Sequence, residues 1–129
     1  MQKKLQVNCR YDSIAFMLKY TLRFRAINKQ IFLDIKSGKK IVETRAATTK
    51  YKDIKTGDVL VLSCGKEKFE KIVKKVKIFK SIKSLASAYP IKKIMPEINS
   101  EKELRDAYYG YPNYKEKIKK FGLIALELK

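Results

Sequence analysis

The chain has 129 residues, of which 45% are hydrophobic, so it can fold as one domain with a buried core, and a disordered basic tail is excluded. Lys and Arg total 31 against 13 Asp and Glu, and the net charge of +18 favours binding to polyanions such as nucleic acid. Part of this charge is also what a genome rich in Lys codons would produce. The sequence has no His, which excludes Ser–His and Cys–His nucleophile pairs, His-ligated zinc sites and His/Cys zinc deaminases.

The two cysteines, Cys9 and Cys64, form neither a disulfide framework nor a metal site by number or spacing. No apolar run approaches the roughly 18 residues that a membrane span requires, and the N-terminal residues lack a signal-peptide pattern. We therefore expect a cytoplasmic protein with reduced thiols, no metal, no cofactor and no membrane segment. Cys64 lies at the end of a predicted strand without a His partner and is expected to be a buried, inert thiol.

Residues 1–18 carry no clear pattern and are predicted to be an N-terminal extension of a domain that spans residues 19–129. A chain that starts at Met17 is expected to fold with little loss of melting temperature. The first predicted strand is Lys19–Arg25, in which apolar and polar side chains alternate as they do in a half-buried strand.

A helix is predicted to follow this strand. Asn28 is expected to cap its N-terminus, and Ile27 is expected to pack on Phe32 as a hydrophobic staple. Gly38 stands where a helix commonly ends in a left-handed residue. The helix is therefore predicted to end at the start of Gly38–Arg45, the segment that carries most of the polar chemistry of the chain.

Three strands are predicted next. Ile41–Thr48 is rich in β-branched residues, and the apolar run Val59–Leu62 follows a turn at Lys55–Asp58. A second turn, at Cys64–Lys66, leads into Phe69–Lys80, where some positions have helical spacing and others have the β-branched content of a strand. For this last segment we favour a long strand with a bulge.

The C-terminal part of the chain is predicted to form short helices. Ser81–Tyr89 and Ile91–Met95 are each expected to end at the proline that follows, and Ser100–Glu103 is a capping box that begins another helix. Tyr114–Lys120 is predicted to be a further basic helical turn, and Phe121–Leu128 a central strand. The order of elements predicts an α+β fold, a small mixed or antiparallel β-barrel of about five to six strands with short peripheral helices.

The segment Gly38–Arg45 matches the pattern G-x-K-x-x-E-x-R at all its fixed positions, and the chain thereby resembles the ASCH domain family of the PUA-like superfamily. Supporting matches are Ile54–Asp58 before a hydrophobic strand, Lys74–Lys83 before a short helix, and the closing segment Lys120–Glu127. The resemblance covers roughly residues 20–128 and leaves only the predicted N-terminal extension outside it.

The resemblance implies a PUA-like β-barrel with a cleft beside the Gly38–Arg45 turn. Members are generally thought to bind RNA, and some small bacterial relatives resemble enzymes, namely an amidohydrolase of N-acetylated cytidine and proposed ribonucleases. In the amidohydrolase pattern, the Lys that matches Lys40 is followed three positions later by a Thr nucleophile. This chain has Glu43 there, with Thr44 beside it, and the departure argues against that activity.

Lys40, Glu43 and Arg45 allow two interpretations. In the functional one, Lys40 and Arg45 hold a phosphate or a base edge while Glu43 accepts a hydrogen bond or a proton. In the structural one, the three side chains form an ion-pair cluster that fixes the turn between helix and strand. Strand alternation places Glu43 and Arg45 on one face and Lys40 and Thr44 on the other, unless Lys40 still lies in the turn.

Further candidates are basic and aromatic side chains. The lysines that are either phosphate contacts or solvated surface charges are Lys39, Lys50, Lys52 and Lys55. The aromatic candidates, which are interleaved with Lys115 and Lys117, are Tyr108, Tyr109, Tyr111 and Tyr114. Such tyrosines could stack on unpaired bases, with Tyr108 and Tyr111 as the candidate nucleic-acid contacts. The alternative, which we favour, is that Tyr108 packs in the core and the others line a loop.

Two functional hypotheses follow. In the first, the chain is an RNA-binding module that binds RNA or a nucleotide in a cleft beside the Gly38–Arg45 turn. Lys39, Lys40 and Arg45 would hold phosphates, and Glu43 would border the part of the cleft that reads a base. In the second, the chain is a hydrolase of a modified nucleoside or of RNA, with Glu43 as general base and Lys40 as the stabiliser of an oxyanion.

Overall fold

The structure, a computed structural model, describes residues 5–6 and 17–129, and its strands form one mixed sheet. The strands are β1 Leu5–Gln6, β2 Met17–Phe24, β3 Val42–Ala46, β4 Val59–Cys64, β5 Glu67–Phe79 and β6 Leu123–Leu128. Their order across the sheet is β1-β2-β4-β5-β6-β3, in which β2 and β4 are parallel and all other neighbours are antiparallel. The last strand is therefore central, as predicted.

Short helices surround the sheet. Those in the described residues are α1 Lys29–Ser37, α2 Ile82–Ala88, α3 Ile91–Ile94, α4 Glu101–Tyr109 and α5 Tyr114–Phe121. The sheet forms a half-barrel, which confirms the predicted α+β fold with peripheral helices. No helix in this part of the chain is long and apolar enough to cross a membrane.

The sheet buries a hydrophobic core on each face. One core lies beneath α1 and includes the fully buried Tyr20 and Phe32, and the other lies beneath α2–α5 and includes Leu104. Strand β6 contributes to both cores because successive side chains point to opposite faces. Ile124 packs in the first core and Leu123 packs in the second.

The start of α1 differs from the prediction. Asn28 makes no capping hydrogen bond with its side chain, and the side chain of Ile27 is 79% exposed, so the predicted cap and staple are wrong. The physical reason is a 3-10 turn at Ala26–Asn28, in which the Asn28 N–H donates to the Arg25 carbonyl and the chain enters the helix already curled. The predicted helix end is confirmed, since Gly38 adopts a φ of +83°.

Strand β5 is a long strand rather than a helix, and its register against β6 shifts between Val73 and Lys75, where the predicted bulge is confirmed. Strand β6 starts later than predicted because Phe121 is the last residue of α5. Gly122, at a φ of +79°, then turns the chain from the helix into the strand. Cys64 is buried, as expected, whereas Cys9 lies outside the described residues.

Strand β2 begins at Met17, and β1 pairs with its first two residues. The sheet therefore reaches into residues 1–18, the predicted extension. Whether the remainder of the domain folds without residues 1–16 stays a prediction.

Candidate functional site

A cavity of about 520 Å³ lies beside the Gly38–Arg45 segment and has the size of a small-molecule site, for which about 300–1,000 Å³ is typical. Four parts of the chain meet around it: the end of β2 with the start of α1, strand β3, the segment 95–98, and the turn between α4 and α5. The side chains of Lys40, Glu43 and Arg45 all line the cavity. The sequence motif therefore faces a partly open cavity.

Glu43 is the centre of the cluster. Its Oε2 accepts hydrogen bonds from Nε and Nη2 of Arg45, both at 3.3 Å. Its Oε1 accepts the Thr44 N–H at 3.0 Å and lies 3.6 Å from the ammonium of Lys40. Lys40 reaches Glu43 because β3 begins only at Val42, so that Lys40 lies in the turn, which settles the question that strand alternation left open.

Lys40 is buried and ties two elements together. Its ammonium donates to the carbonyl of Ile94 at the end of α3, and its backbone N–H donates to the Asp34 carbonyl in α1. Burial lowers the pKa of Lys40, and the neighbouring Glu43 carboxylate opposes that effect. Lys40 is therefore a buried charge in contact with α1 and α3, and it does not lie at the cavity entrance.

Arg45 is held on three sides. Its Nη1 donates to the Tyr51 hydroxyl at 3.2 Å, and its guanidinium carbon lies 5.0 Å from the Phe24 ring centre and 5.5 Å from that of Tyr51. Burial alone would lower the pKa of Arg45, but Glu43 and Tyr51 outweigh burial and the net shift is upward. The guanidinium is thus a fixed, permanently charged part of the cavity wall.

The tyrosines divide into two groups. Tyr108 is 1% exposed, and its hydroxyl forms a 2.5 Å hydrogen bond with Thr44 Oγ1. Burial raises the pKa of Tyr108 well above that of an ordinary tyrosine. Tyr111 and Tyr114 are partly exposed, pack edge to face with ring centres 5.3 Å apart, and line the cavity. Tyr109 is 41% exposed and does not line it.

The entrance carries cations that the sequence reasoning missed. Arg23 and Arg25 are exposed and Lys117 is half-buried, all three line the cavity, and none has a carboxylate within ion-pair distance among the described residues. Glu97 is the exposed carboxylate at the same site. The only sequence signal for the two arginines is their position on either side of Phe24.

Other predicted contacts lie away from the cavity. Among the lysines that the sequence analysis names individually, those that are exposed and do not line the cavity are Lys39, Lys50, Lys52, Lys55 and Lys115. The described residues contain no group of three or more Cys, Asp or Glu side chains placed to hold a metal ion. The arrangement is therefore suited to binding a small polar group between a charged inner wall and a basic, aromatic entrance.

The half-barrel with a buried Lys–Glu–Arg cluster facing a cavity defines an α+β protein of PUA-like type. The family model of the ASCH domain matches residues 26–129, and the chain belongs to that family.

Two solved structures are similar to this one. The crystal structure of hypothetical protein PH0355 has 27% identity and a TM-score of 0.75, with 86% of this chain and 97% of that chain covered. The solution NMR structure of protein PF0455 from Pyrococcus furiosus has 25% identity and a TM-score of 0.68, with 86% of this chain and 96% of that chain covered. No curated protein matches the chain.

Proposed function

We propose that the chain is an RNA-binding module that takes one nucleotide into the cavity. The observation that carries the proposal is a cavity of about 520 Å³ whose entrance holds Arg23, Arg25 and Lys117, cations with no ion-pair partner among residues 17–129. Phosphates attract clustered Lys and Arg, and aromatic side chains such as Tyr111 offer a face on which an unpaired base stacks. The net charge of +18 adds long-range attraction for a polyanion.

The geometry supports a different division of roles from the one that the sequence suggests. Lys40 and Arg45 belong to the inner wall, where both already form ion pairs with the Glu43 carboxylate. A phosphate is strongly hydrated and fits the open entrance better than this wall. We therefore propose that the base meets the inner wall and that the phosphates meet Arg23, Arg25 and Lys117.

The hydrolase alternative is less well supported. Glu43 already accepts three hydrogen bonds and lies 3.6 Å from the Lys40 ammonium, so few of its lone pairs are left to take a proton from a substrate. The alternative is tested by incubating the protein and Glu43→Gln with N-acetylcytidine and with RNA. Turnover by the wild-type protein that disappears in Glu43→Gln, while the variant remains folded, would favour the enzyme over the binding module.

The test of RNA binding compares two triple variants that each remove three positive charges. The entrance variant, Arg23→Ala/Arg25→Ala/Lys117→Ala, removes the three cations at the cavity entrance. The other, Lys66→Ala/Lys83→Ala/Lys102→Ala, is the control and removes three exposed lysines that do not line the cavity. Binding of a short fluorescent single-stranded RNA is measured by anisotropy at several salt concentrations.

We expect the entrance variant to bind about tenfold or more weakly and to lower the slope of log K against log salt by about 2, since each lost phosphate contact with a single strand removes about 0.7. The control should change both quantities much less. Equal effects in the two variants would mean that binding reflects bulk charge, and the proposal would fail.

A further inference from the structure

Thr44 and Tyr108 form a pair of hydroxyl groups in the cavity wall. Thr44 Oγ1 and the Tyr108 hydroxyl share one 2.5 Å hydrogen bond, and the two residues are 7% and 1% exposed. Each hydroxyl carries one proton and accepts at its lone pairs. Whichever group donates in the shared bond, the other keeps a proton that this bond does not use.

The spare proton has no second acceptor in the described part of the chain. Neither hydroxyl makes another hydrogen bond there, and Glu43 accepts instead from the Thr44 N–H and from Arg45. The carboxylate of Asp34, on the same wall, accepts from Gln30. A buried O–H group without an acceptor is destabilising, so the pair favours a ligand that brings an acceptor.

We propose that this spare O–H donates to a carbonyl oxygen of the bound base, and that the cavity therefore prefers hypoxanthine and guanine over adenine. The inference rests on the proposed function, in which a base enters the cavity. At position 6, hypoxanthine and guanine carry a carbonyl oxygen where adenine carries an amino group. The amino group of adenine cannot accept the spare proton, so adenine could take it only at a ring nitrogen beside that group, which fits an O–H group aimed at position 6 less well.

The test uses inosine 5′-monophosphate and adenosine 5′-monophosphate, which share the same sugar and phosphate. Their affinities are measured by calorimetry for the wild-type chain and for Thr44→Val/Tyr108→Phe, which removes both hydroxyls and nearly preserves shape. Replacing both partners of a hydrogen bond by groups of the same shape is close to neutral for folding, and a melting curve checks that the variant is folded.

We expect the wild-type chain to bind the inosine nucleotide about tenfold more tightly, and we expect the double variant to bind both nucleotides with similar affinity. Equal affinities in the wild-type chain, or a preference that persists in the double variant, would overturn the inference. The entrance variant separates this failure from a failure of the proposed function. If the entrance variant binds both nucleotides more weakly and the wild-type chain shows no preference between them, only the inference fails. If the entrance variant binds both nucleotides as tightly as the wild-type chain does, the cavity is not the nucleotide site and both proposals fail.

Discussion

Replacing Glu43 by Gln tests whether the buried cluster holds the fold together. The substitution keeps the shape of the side chain and removes the negative charge between Lys40 and Arg45. The side chains of Glu43, Lys40 and Arg45 are 6%, 3% and 17% exposed, so water compensates little for the loss. Breaking a buried ion pair by removing one partner costs about 3–5 kcal/mol, because an uncompensated charge stays buried.

We expect a cost of about 3 kcal/mol for Glu43→Gln, since Arg45 is partly exposed and the amide oxygen of Gln still accepts hydrogen bonds. For a chain of this length, that lowers the melting temperature by roughly 10 °C. The matched control is Asp106→Asn, which breaks the Lys102–Asp106 pair, whose side chains are 80% and 63% exposed. An exposed pair of this type contributes about 0.3–0.5 kcal/mol, so the control should shift the melting temperature by about 1–2 °C.

The pH dependence gives a second measurement on the same variant. Without Glu43, burial should depress the pKa of Lys40 further below 10.5, its ordinary value. The unfolded chain then binds more protons than the folded chain just below pH 10.5, so the free energy of unfolding rises with pH in that window. The deficit of Glu43→Gln relative to the wild type should therefore shrink as pH approaches 10.5. A variant that melts within about 2 °C of the wild type at neutral pH would refute the reasoning.

Three further predictions concern the scaffold. Gly38→Ala should lower the free energy of unfolding by only about 1–2 kcal/mol, because φ is +83° but an added Cβ meets nothing within 4 Å. Gly122→Ala should unfold at a far lower temperature, because its Cβ would lie 2.5 Å from the Phe79 carbonyl oxygen. Above pH 10, Tyr108 keeps its proton in the folded chain and loses it in the unfolded chain, so the free energy of unfolding falls as pH rises beyond 10. Urea unfolding of Tyr108→Phe should show a smaller fall in this free energy over the same pH range. A chain that starts at Met17 should melt within a few degrees of the full chain, since β1 pairs through only two residues, and a collapse would show that residues 1–16 are structural.

Local features of the fold were predictable from the sequence. Gly38 ends α1 because a left-handed position favours glycine, and the β-branched content of β5 outweighed its helical spacing. The absence of a side-chain cap at Asn28 was not predictable, because Asn28 ends a 3-10 turn whose backbone hydrogen bond leads the chain into α1.

The site was predictable only where the chemistry is local. Glu43 and Arg45 are two residues apart on one strand, so their contact follows from the alternation of side chains. The contact of Lys40 with the Ile94 carbonyl joins positions 54 apart, and the bond of Thr44 to Tyr108 joins positions 64 apart. No local pattern encodes such pairs, and for the same reason the entrance cations could not be recognised before the fold was known.

The central claim is that a nucleotide sits in the cavity, and an NMR titration of the isotopically labelled chain with a short single-stranded RNA tests it most directly. We expect the largest amide shifts at Thr44, Arg45, Tyr111 and Tyr114, which line the cavity. Shifts spread along the lysine-rich strand β5, with none at these four residues, would contradict the claim.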